Sequence, residues 1–191
     1  MTKIKTGIIP YNILETRNNF PQYATFLISQ FSDLLAQTNC QGIRLFPASV
    51  NSNSLPSGNP YKSVMALGYD TAGHNIADII LLDTQPCPPE CHITGITNVN
   101  SSFPDDIHQI NLEDAQNLLT PASFSAQFHK IEDFAILFSL PGAYKLRIFF
   151  ALIPNSVAEP QSTFVMQAVY QNGDAINNVY LQDDNPMAGT L

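Results

Sequence analysis

Apolar residues in the first half of the chain follow two spacings, and each spacing predicts its own kind of element. Between residues 22 and 37 they recur every three or four positions, which is typical of a helix with one buried face. This predicts a helix from about Gln22 to Gln37 that ends near Asn39, because Asn permits left-handed backbone. Three shorter apolar runs predict strands, the last two joined as an antiparallel hairpin: Ile43–Val50, Tyr61–Tyr69 and Ile76–Asp83.

The second half of the chain shows the same order of patterns. A helical spacing ends at Pro141-Gly142 and runs through Phe124, Phe128, Ile131, Phe134, Ala135 and Phe138. A strand is predicted at Leu146–Ile153, followed by a hairpin around Asn172-Gly173, because both turn residues tolerate positive φ. The strands of that hairpin are predicted at Phe164–Tyr170 and Ile176–Leu181.

The segment from Ile43 to Asp83 therefore reads as a duplicate of Leu146 to Asp183. The paired identities are Arg44 with Arg147, Phe46 with Phe149, Ala48 with Ala151, Val64 with Val165, Met65 with Met166, Tyr69 with Tyr170, Gly73 with Gly173, Ile76 with Ile176, Leu81 with Leu181 and Asp83 with Asp183. Two similar sequences are expected to fold alike and to pack about an approximate twofold axis. We predict an α+β fold built from two units of helix, strand and antiparallel hairpin: residues 1–91, a connector at 92–106, and residues 107–191.

Composition narrows the class of protein. The chain has 191 residues, of which 45% are hydrophobic and 13% charged, and its 16 acidic and 8 basic residues give a net charge of −8. This acidic balance, with no cluster of Lys and Arg, argues against nucleic acid as a partner. The most apolar stretch, Phe134 to Ile153, is broken by Pro141-Gly142 and carries Lys145, so we expect no membrane span and place the protein in the cytoplasm.

Two thiols lie in the most distinctive local motif, Cys87-Pro88-Pro89-Glu90-Cys91-His92. Two cysteines four residues apart beside an imidazole resemble half of a zinc site, which Cys40 or His74 would complete. The alternative is a pair of reduced thiols, or one disulfide, in a turn stiffened by proline. Because Cys40 aligns with Ala143 and the second copy lacks the motif, the repeated unit folds without sulfur, and we expect no cofactor, with zinc as the alternative.

Arginine supplies the second candidate site. Arg44 and Arg147 occupy matching positions, so near a twofold axis their guanidinium groups would together hold a carboxylate or phosphate. Alternatively, each arginine pairs with the repeated acid of its own copy, Asp83 or Asp183, and ties strands together. The histidines at 74, 92, 108 and 129 lie in no nucleophile or metal motif and are interpreted as surface or capping residues.

The first half also carries a resemblance. The pattern Cys40-x-Gly42-Ile43-Arg44, then a hairpin, then Cys87-Pro88-Pro89-x-Cys91, resembles a group of small uncharacterised bacterial proteins of the Bacteroidetes type. No activity is assigned to that group, so the resemblance implies none here. It implies only that the thiols belong to the original form of the unit.

Two classes of function remain at this level. The first is a non-catalytic binding or interaction module for an unknown protein or small ligand. Four tyrosines near the hairpins would supply its contacts: Tyr61, Tyr69, Tyr170 and Tyr180. Arg44 and Arg147 are further ligand-binding candidates. The twofold arrangement is also compatible with a homo-oligomer. The second class is a thiol- or metal-dependent enzyme or sensor that uses Cys87, Cys91 and His92.

Overall fold

The computed structural model describes residues 2–6, 9–17, 20–50, 61–83, 107–109, 113, 127–153 and 161–183. Within these ranges, strands alternate with two short α-helices and one 3₁₀ helix at Tyr11–Ile13. The helices are α1, Ile28–Leu35, and α2, Ile131–Phe138. The strands are β1 Thr2–Thr6, β2 Thr16–Arg17, β3 Phe20–Pro21, β4 Tyr23–Leu27, β5 Gly42–Val50, β6 Tyr61–Tyr69, β7 Asn75–Asp83, β8 Ile107–Gln109, β9 Gln127–Lys130, β10 Lys145–Ile153, β11 Gln161–Val169 and β12 Ala175–Asp183.

Two five-stranded antiparallel sheets dominate the described part of the chain. The first sheet has the order β1-β12-β11-β10-β4, and the second has the order β8-β7-β6-β5-β9. The strands β2 and β3 form a separate small pair. The predicted α+β class is therefore wrong: the fold is mostly β, because most of the apolar surface is buried by pleated strands packed face to face rather than by helices.

The predicted first helix is wrong in its N-terminal part, where the chain forms strand β4. Residues of β4 alternate between half-buried and buried, with Ala24 and Phe26 pointing inwards, so the actual period there is two. The helix begins only at Ile28, where Oε1 of Gln30 accepts the N–H of Leu27 at 2.9 Å. Such a contact from the third helical residue satisfies an amide that the helix itself leaves unbonded.

The second predicted helix differs in the same way, because strand β9 precedes α2. Oδ2 of Asp133 accepts the N–H of Lys130 at 3.0 Å, the counterpart of the Gln30 contact. After each helix the chain passes through left-handed backbone, at Asn39 with φ 64° and at Gly142 with φ 79°. The predicted helix ends are thus confirmed, although the predicted starts are not.

The strands after each helix agree with the predicted positions, and both hairpins turn at the predicted glycines. Gly73 has φ 81° and Gly173 has φ 88°, and each donates its N–H to the residue that opens the turn, Asp70 or Tyr170. These positive φ values explain why both turns contain glycine, since other residues adopt them at a cost of about 1 kcal/mol or more.

The strand register corrects the sequence alignment within β6 and β11. Arg44 pairs with Leu67 and Arg147 pairs with Gln167, so Leu67 matches Gln167. It follows that Tyr69 matches Val169, and Tyr170 matches Asp70. The pairs Val64 with Val165 and Met65 with Met166 were misaligned by one residue as well. A shift of one residue moves a side chain to the other face of a sheet, so these identities are not structural equivalents.

Each sheet combines strands from both halves of the sequence. From the first half, β1 pairs with β12 and β4 pairs with β10. From the second half, β8 pairs with β7 and β9 pairs with β5. The exchange is reciprocal, because each half places its N-terminal strands on the two sides of the other half's three-stranded meander. Each five-stranded sheet is therefore completed by strands of the other half of the sequence.

The main core lies between the two sheets and the two helices, and it draws on both halves. Burying each of its large side chains contributes about 1.5–3 kcal/mol. The bulkiest members are Phe26, Phe31, Phe134, Phe150 and Phe164. A smaller cluster covers the outer face of the first sheet, where the 9–14 segment packs on Phe149, Ala151, Val165 and Tyr180. No helix in the described ranges has the length and apolar character needed to cross a membrane.

Candidate functional site

Arg44 lies on the outer face of the second sheet, beside the hairpin turn of its own half. Its side chain is almost buried, with 5% of its surface exposed. Nη2 donates to the carbonyl oxygen of Gly73 at 2.6 Å, and Nη1 donates to Oδ1 of Asn75. Burial lowers the pKa of Arg44, and the charge of Tyr69 opposes that shift. The guanidinium group thus holds the end of the β6–β7 hairpin.

Arg147 makes the matching contact in the first sheet. Its Nη2 donates to the carbonyl oxygen of Gly173 at 2.9 Å. Its guanidinium carbon lies 4.6 Å from the ring centre of Tyr23, a cation–π distance, and Tyr23 comes from the other half of the chain. Burial raises the pKa of Tyr23, the charge of Arg147 opposes this, and the charge of Asp83 adds to it.

The structure does not bring the two arginines together. Residues on either side of each arginine belong to the core between the sheets: Ile43 and Leu45, and Leu146 and Ile148. Since side chains alternate along a strand, Arg44 and Arg147 project from opposite outer faces of the two packed sheets. One small anion therefore has no position from which to contact both guanidinium groups.

The structure likewise separates each arginine from the repeated acid of its own half. Arg44 binds Asn75 at the start of β7 on the outer face of the sheet, whereas Asp83 ends that strand on the same face as Leu81, a residue of the core between the sheets. Arg147 binds Gly173 just before β12, and Asp183 ends β12. The contacts that the arginines make instead are with turn carbonyls, which the alignment of charged residues did not indicate.

Asp83 has a different role, beside β4, the last strand of the described first sheet. Its Oδ2 accepts the N–H of Thr25 at 2.8 Å, and the residue is only 4% exposed. Thr25 lies in β4, an edge strand whose other side pairs with β10. The backbone oxygen of Asp83 also accepts the hydroxyl of Ser63. The carboxylate thus joins the sheets and satisfies an edge amide that would otherwise be available to an added strand.

Tyr69 lies beside Arg44 and packs on Gly42. A Cβ atom at residue 42 would lie 2.1 Å from the carbonyl oxygen of His129, so no larger residue fits there. Burial raises the pKa of Tyr69, as do the charges of Asp133, Cys40 and Glu132, while Arg44 lowers it. Cys40 is buried, and its thiol donates to the carbonyl oxygen of Gly42 at 3.2 Å.

Tyr170 and Tyr144 form the most exposed aromatic pair beside a hairpin in the described part of the chain. Tyr170 is 39% exposed and Tyr144 is 43% exposed. Lys145 pairs with Val169, and the N–H of Tyr144 donates to the Val169 carbonyl, so the two tyrosines lie opposite each other just beyond that pair. A Cβ at Gly142 would lie 2.7 Å from the Tyr170 ring, which shows that the ring rests on glycine. Sequence reasoning missed Tyr144.

Cys87, Cys91 and His92 lie outside the described residues, and so does the side chain of Tyr61. Within the described residues, no group of three or more His, Cys, Asp or Glu side chains is arranged to hold a metal ion. Tyr180 is buried in the outer cluster of the first sheet, so it serves packing there.

The histidine prediction holds in one place and fails in another. His74 is exposed in its turn, where Nδ1 lies 3.5 Å from Oδ2 of Asp70. His129, by contrast, is fully buried in β9, and its ring meets Phe134 edge to face at 5.7 Å between centres. His129 is buried because of its position in the repeated unit, where it matches Phe26 of β4, whose side chain also points into the core.

Comparison with known proteins adds no family, since no family model, curated protein or solved structure matches the chain.

Proposed function

We propose that the protein is a non-catalytic binding module whose contact surface is the Tyr144–Tyr170 pair. The observation that supports this most directly is the exposure of two opposed tyrosines at the end of the first sheet. Tyrosine supplies a large, rigid contact area with a polar tip, and it is enriched in protein interfaces. The pair is held from beneath, because the Tyr170 ring rests on Gly142.

The hydrogen bonds that the two arginines make within the protein support this assignment. Each holds a turn carbonyl through charge-assisted hydrogen bonds, and Arg44 is almost buried. A ligand-binding role for Arg44 would require these bonds to be given up, which costs about 1.5–3 kcal/mol for a charged donor. The tyrosine pair needs no such rearrangement.

The partner that fits this surface is a short, extended protein segment with apolar side chains. Two aromatic rings at a sheet end offer flat apolar contacts, while their hydroxyls and the nearby Lys145, whose Nζ lies 6.0 Å from the Tyr144 ring centre, offer polar ones at the rim. We place this interaction in the cytoplasm, with neither nucleic acid nor a membrane as the partner, in keeping with the net charge of −8.

Selection from a library of random short peptides tests the proposal. We expect selected peptides to lose at least about tenfold in affinity, equivalent to about 1.4 kcal/mol, for Tyr144→Ala and for Tyr170→Ala. Tyr11→Ala is the matched control, since Tyr11 is an exposed tyrosine elsewhere, at 56%. Peptides that bind equally well to all three variants would show that the tyrosine pair is not the contact surface.

The alternative function is a thiol- or metal-dependent enzyme or sensor, which the closeness of Cys87, Cys91 and His92 in the sequence favours. Elemental analysis and a thiol count on protein purified without chelator distinguish the two functions. One zinc ion per chain, or one fast-reacting thiol of low pKa, would support this alternative, with Cys40 as a further candidate ligand.

A further inference from the structure

The strand pairings described between the two halves of one molecule can also form between the halves of two copies of the chain. Residues 2–83 contribute α1 and the strands β1 to β7, and residues 107–183 contribute α2 and the strands β8 to β12. Among the described strands, four pairings join the halves: β1 with β12, β4 with β10, β5 with β9, and β7 with β8. Neither half completes a five-stranded sheet alone.

The core between the sheets reinforces this dependence. Phe26 and Phe31 come from the first half, whereas Phe134 and Phe150 come from the second, and all belong to one apolar cluster. The rings of Phe31 and Phe134 meet edge to face at 5.4 Å between centres. A half chain on its own would leave this surface in water, at a cost of about 1.5–3 kcal/mol for each large side chain.

We propose that two copies of this chain exchange halves and form a domain-swapped dimer, in which the partner is a second copy of the same chain. The first half of one molecule would then pair with the second half of the other, with the same four strand pairings and the same core contacts. Such exchange requires no new interface, which is why domain swapping is a low-cost route to dimers. This inference is independent of the proposed peptide-binding surface.

The connection between the halves determines which form prevails. Asp83 pairs directly with Ile107, so residues 84–106 leave and return at neighbouring positions. Two modules joined within one chain typically have an effective concentration on the order of 1 mM for each other. Intramolecular pairing should therefore win at micromolar protein, and exchange between molecules should become comparable as the concentration approaches about 1 mM.

Refolding of the intact chain from denaturant at rising protein concentration tests the proposal directly. We expect monomer at micromolar concentration and a dimer fraction on the order of one half near 1 mM. The dimer should persist after dilution, because separation requires strands to unpair. Chains carrying two different tags and refolded together should yield mixed dimers. Refolded chains that remain monomeric at every concentration would overturn the proposal.

A matched pair of variants tests the geometry. Joining Asp83 directly to Ile107 leaves no residues to reverse the chain, so β7 and β8 of one molecule cannot pair and a dimer is expected at micromolar concentration. Replacing residues 84–106 with Asn-Gly is the control, because that two-residue turn closes an antiparallel hairpin and should give a monomer. A folded monomer from the direct fusion would overturn the proposal. If either variant fails to fold, the concentration series of the intact chain decides.

Discussion

The sites of Arg44 and Arg147 share two contacts, one with a turn glycine and one with a phenylalanine ring centred 5.9 Å away, and they differ in their remaining partners. Both guanidinium groups hold the carbonyl of a turn glycine. Arg44 also binds Asn75, which Ala175 replaces in the second half. Arg147 instead lies under the ring of Tyr23, which the other half supplies. The comparison shows that the repeated arginine holds the end of the hairpin in both halves. Its further partner differs, since it is an amide side chain for Arg44 and the ring of Tyr23 for Arg147.

The largest effect expected from this comparison is the loss of Arg44. Arg44→Ala removes a buried charged donor and leaves the Gly73 carbonyl and the Asn75 side chain without it, so we expect a loss of about 3 kcal/mol in the free energy of unfolding. Arg147→Ala, at a half-buried position, should cost about 1–2 kcal/mol. Urea denaturation of both variants measures the difference. An Arg147 variant less stable than the Arg44 variant would contradict the comparison.

A double-mutant cycle sharpens the assignment of the partner of Arg44. We expect Arg44→Ala and Asn75→Ala to be coupled by about 1–2 kcal/mol, because their side chains are in contact. Arg44→Ala and Asp83→Ala should instead be additive within about 0.5 kcal/mol, since Arg44 of β5 lies on the outer face of the second sheet and Asp83 of β7 lies on its core face. If the unfolding free energies instead showed coupling between Arg44 and Asp83 and additivity between Arg44 and Asn75, they would support the ion pair predicted from the sequence.

Tyr23 tests the other side of the comparison. Tyr23→Leu keeps an apolar side chain but removes the ring above Arg147 and its edge contact with Phe149, at 5.3 Å between centres. We expect a loss of about 1 kcal/mol in unfolding free energy, in the range of one cation–π contact. The same substitution in an Arg147→Ala background should cost less. Equal losses in both backgrounds would show that Tyr23 and Arg147 do not interact.

The smallest effect concerns pH and separates the two turns. Hydrogen bonds from the backbone N–H groups of His74 and Ala72 lower the pKa of Asp70 below its ordinary value of 3.8, and its counterpart Tyr170 has no carboxyl group. A lowered folded-state pKa contributes stability that is fully present above the unfolded-state value and is lost as the pH falls through the folded-state value.

Asp70→Asn should therefore lose less stability than the wild type when the pH is lowered from about 5 to about 2. Urea midpoints at the two pH values measure the difference. Identical pH profiles for the two proteins would show that the turn does not hold the carboxylate.

Local elements were predictable where the spacing of apolar residues fitted only one kind of secondary structure. The strands of both hairpins and the left-handed residues Asn39 and Gly142 follow from apolar runs and turn chemistry. The stretch from Tyr23 to Leu27 was not predictable in the same way, because its apolar residues fit both a helical and an alternating spacing. Only pairing with β10 selects the strand. A signal was nevertheless present, since Gln30 and Asp133 occupy the capping position that starts each helix.

The candidate site was less predictable than the fold. The sequence pointed to Arg44 and Arg147 but predicted either a shared anion or an acid of the same copy as their partner, because charge is visible in a sequence and a backbone carbonyl is not. It treated Tyr69 and Tyr170 as equivalents, although one residue of register places them on different faces. Tyr144 had only a weak signal, an aromatic residue directly after the turn at Gly142.

The sequence by itself determined the short-range features: the turns, the strands beside them, the helix ends and the repeated arginine. Each depends on residues close together in the chain, whose backbone preferences act locally. Tertiary structure alone decided that the N-terminal strands of each half complete the sheet of the other. That choice is made by burying one shared core between distant segments, and no local preference distinguishes pairing within a half from pairing across the two.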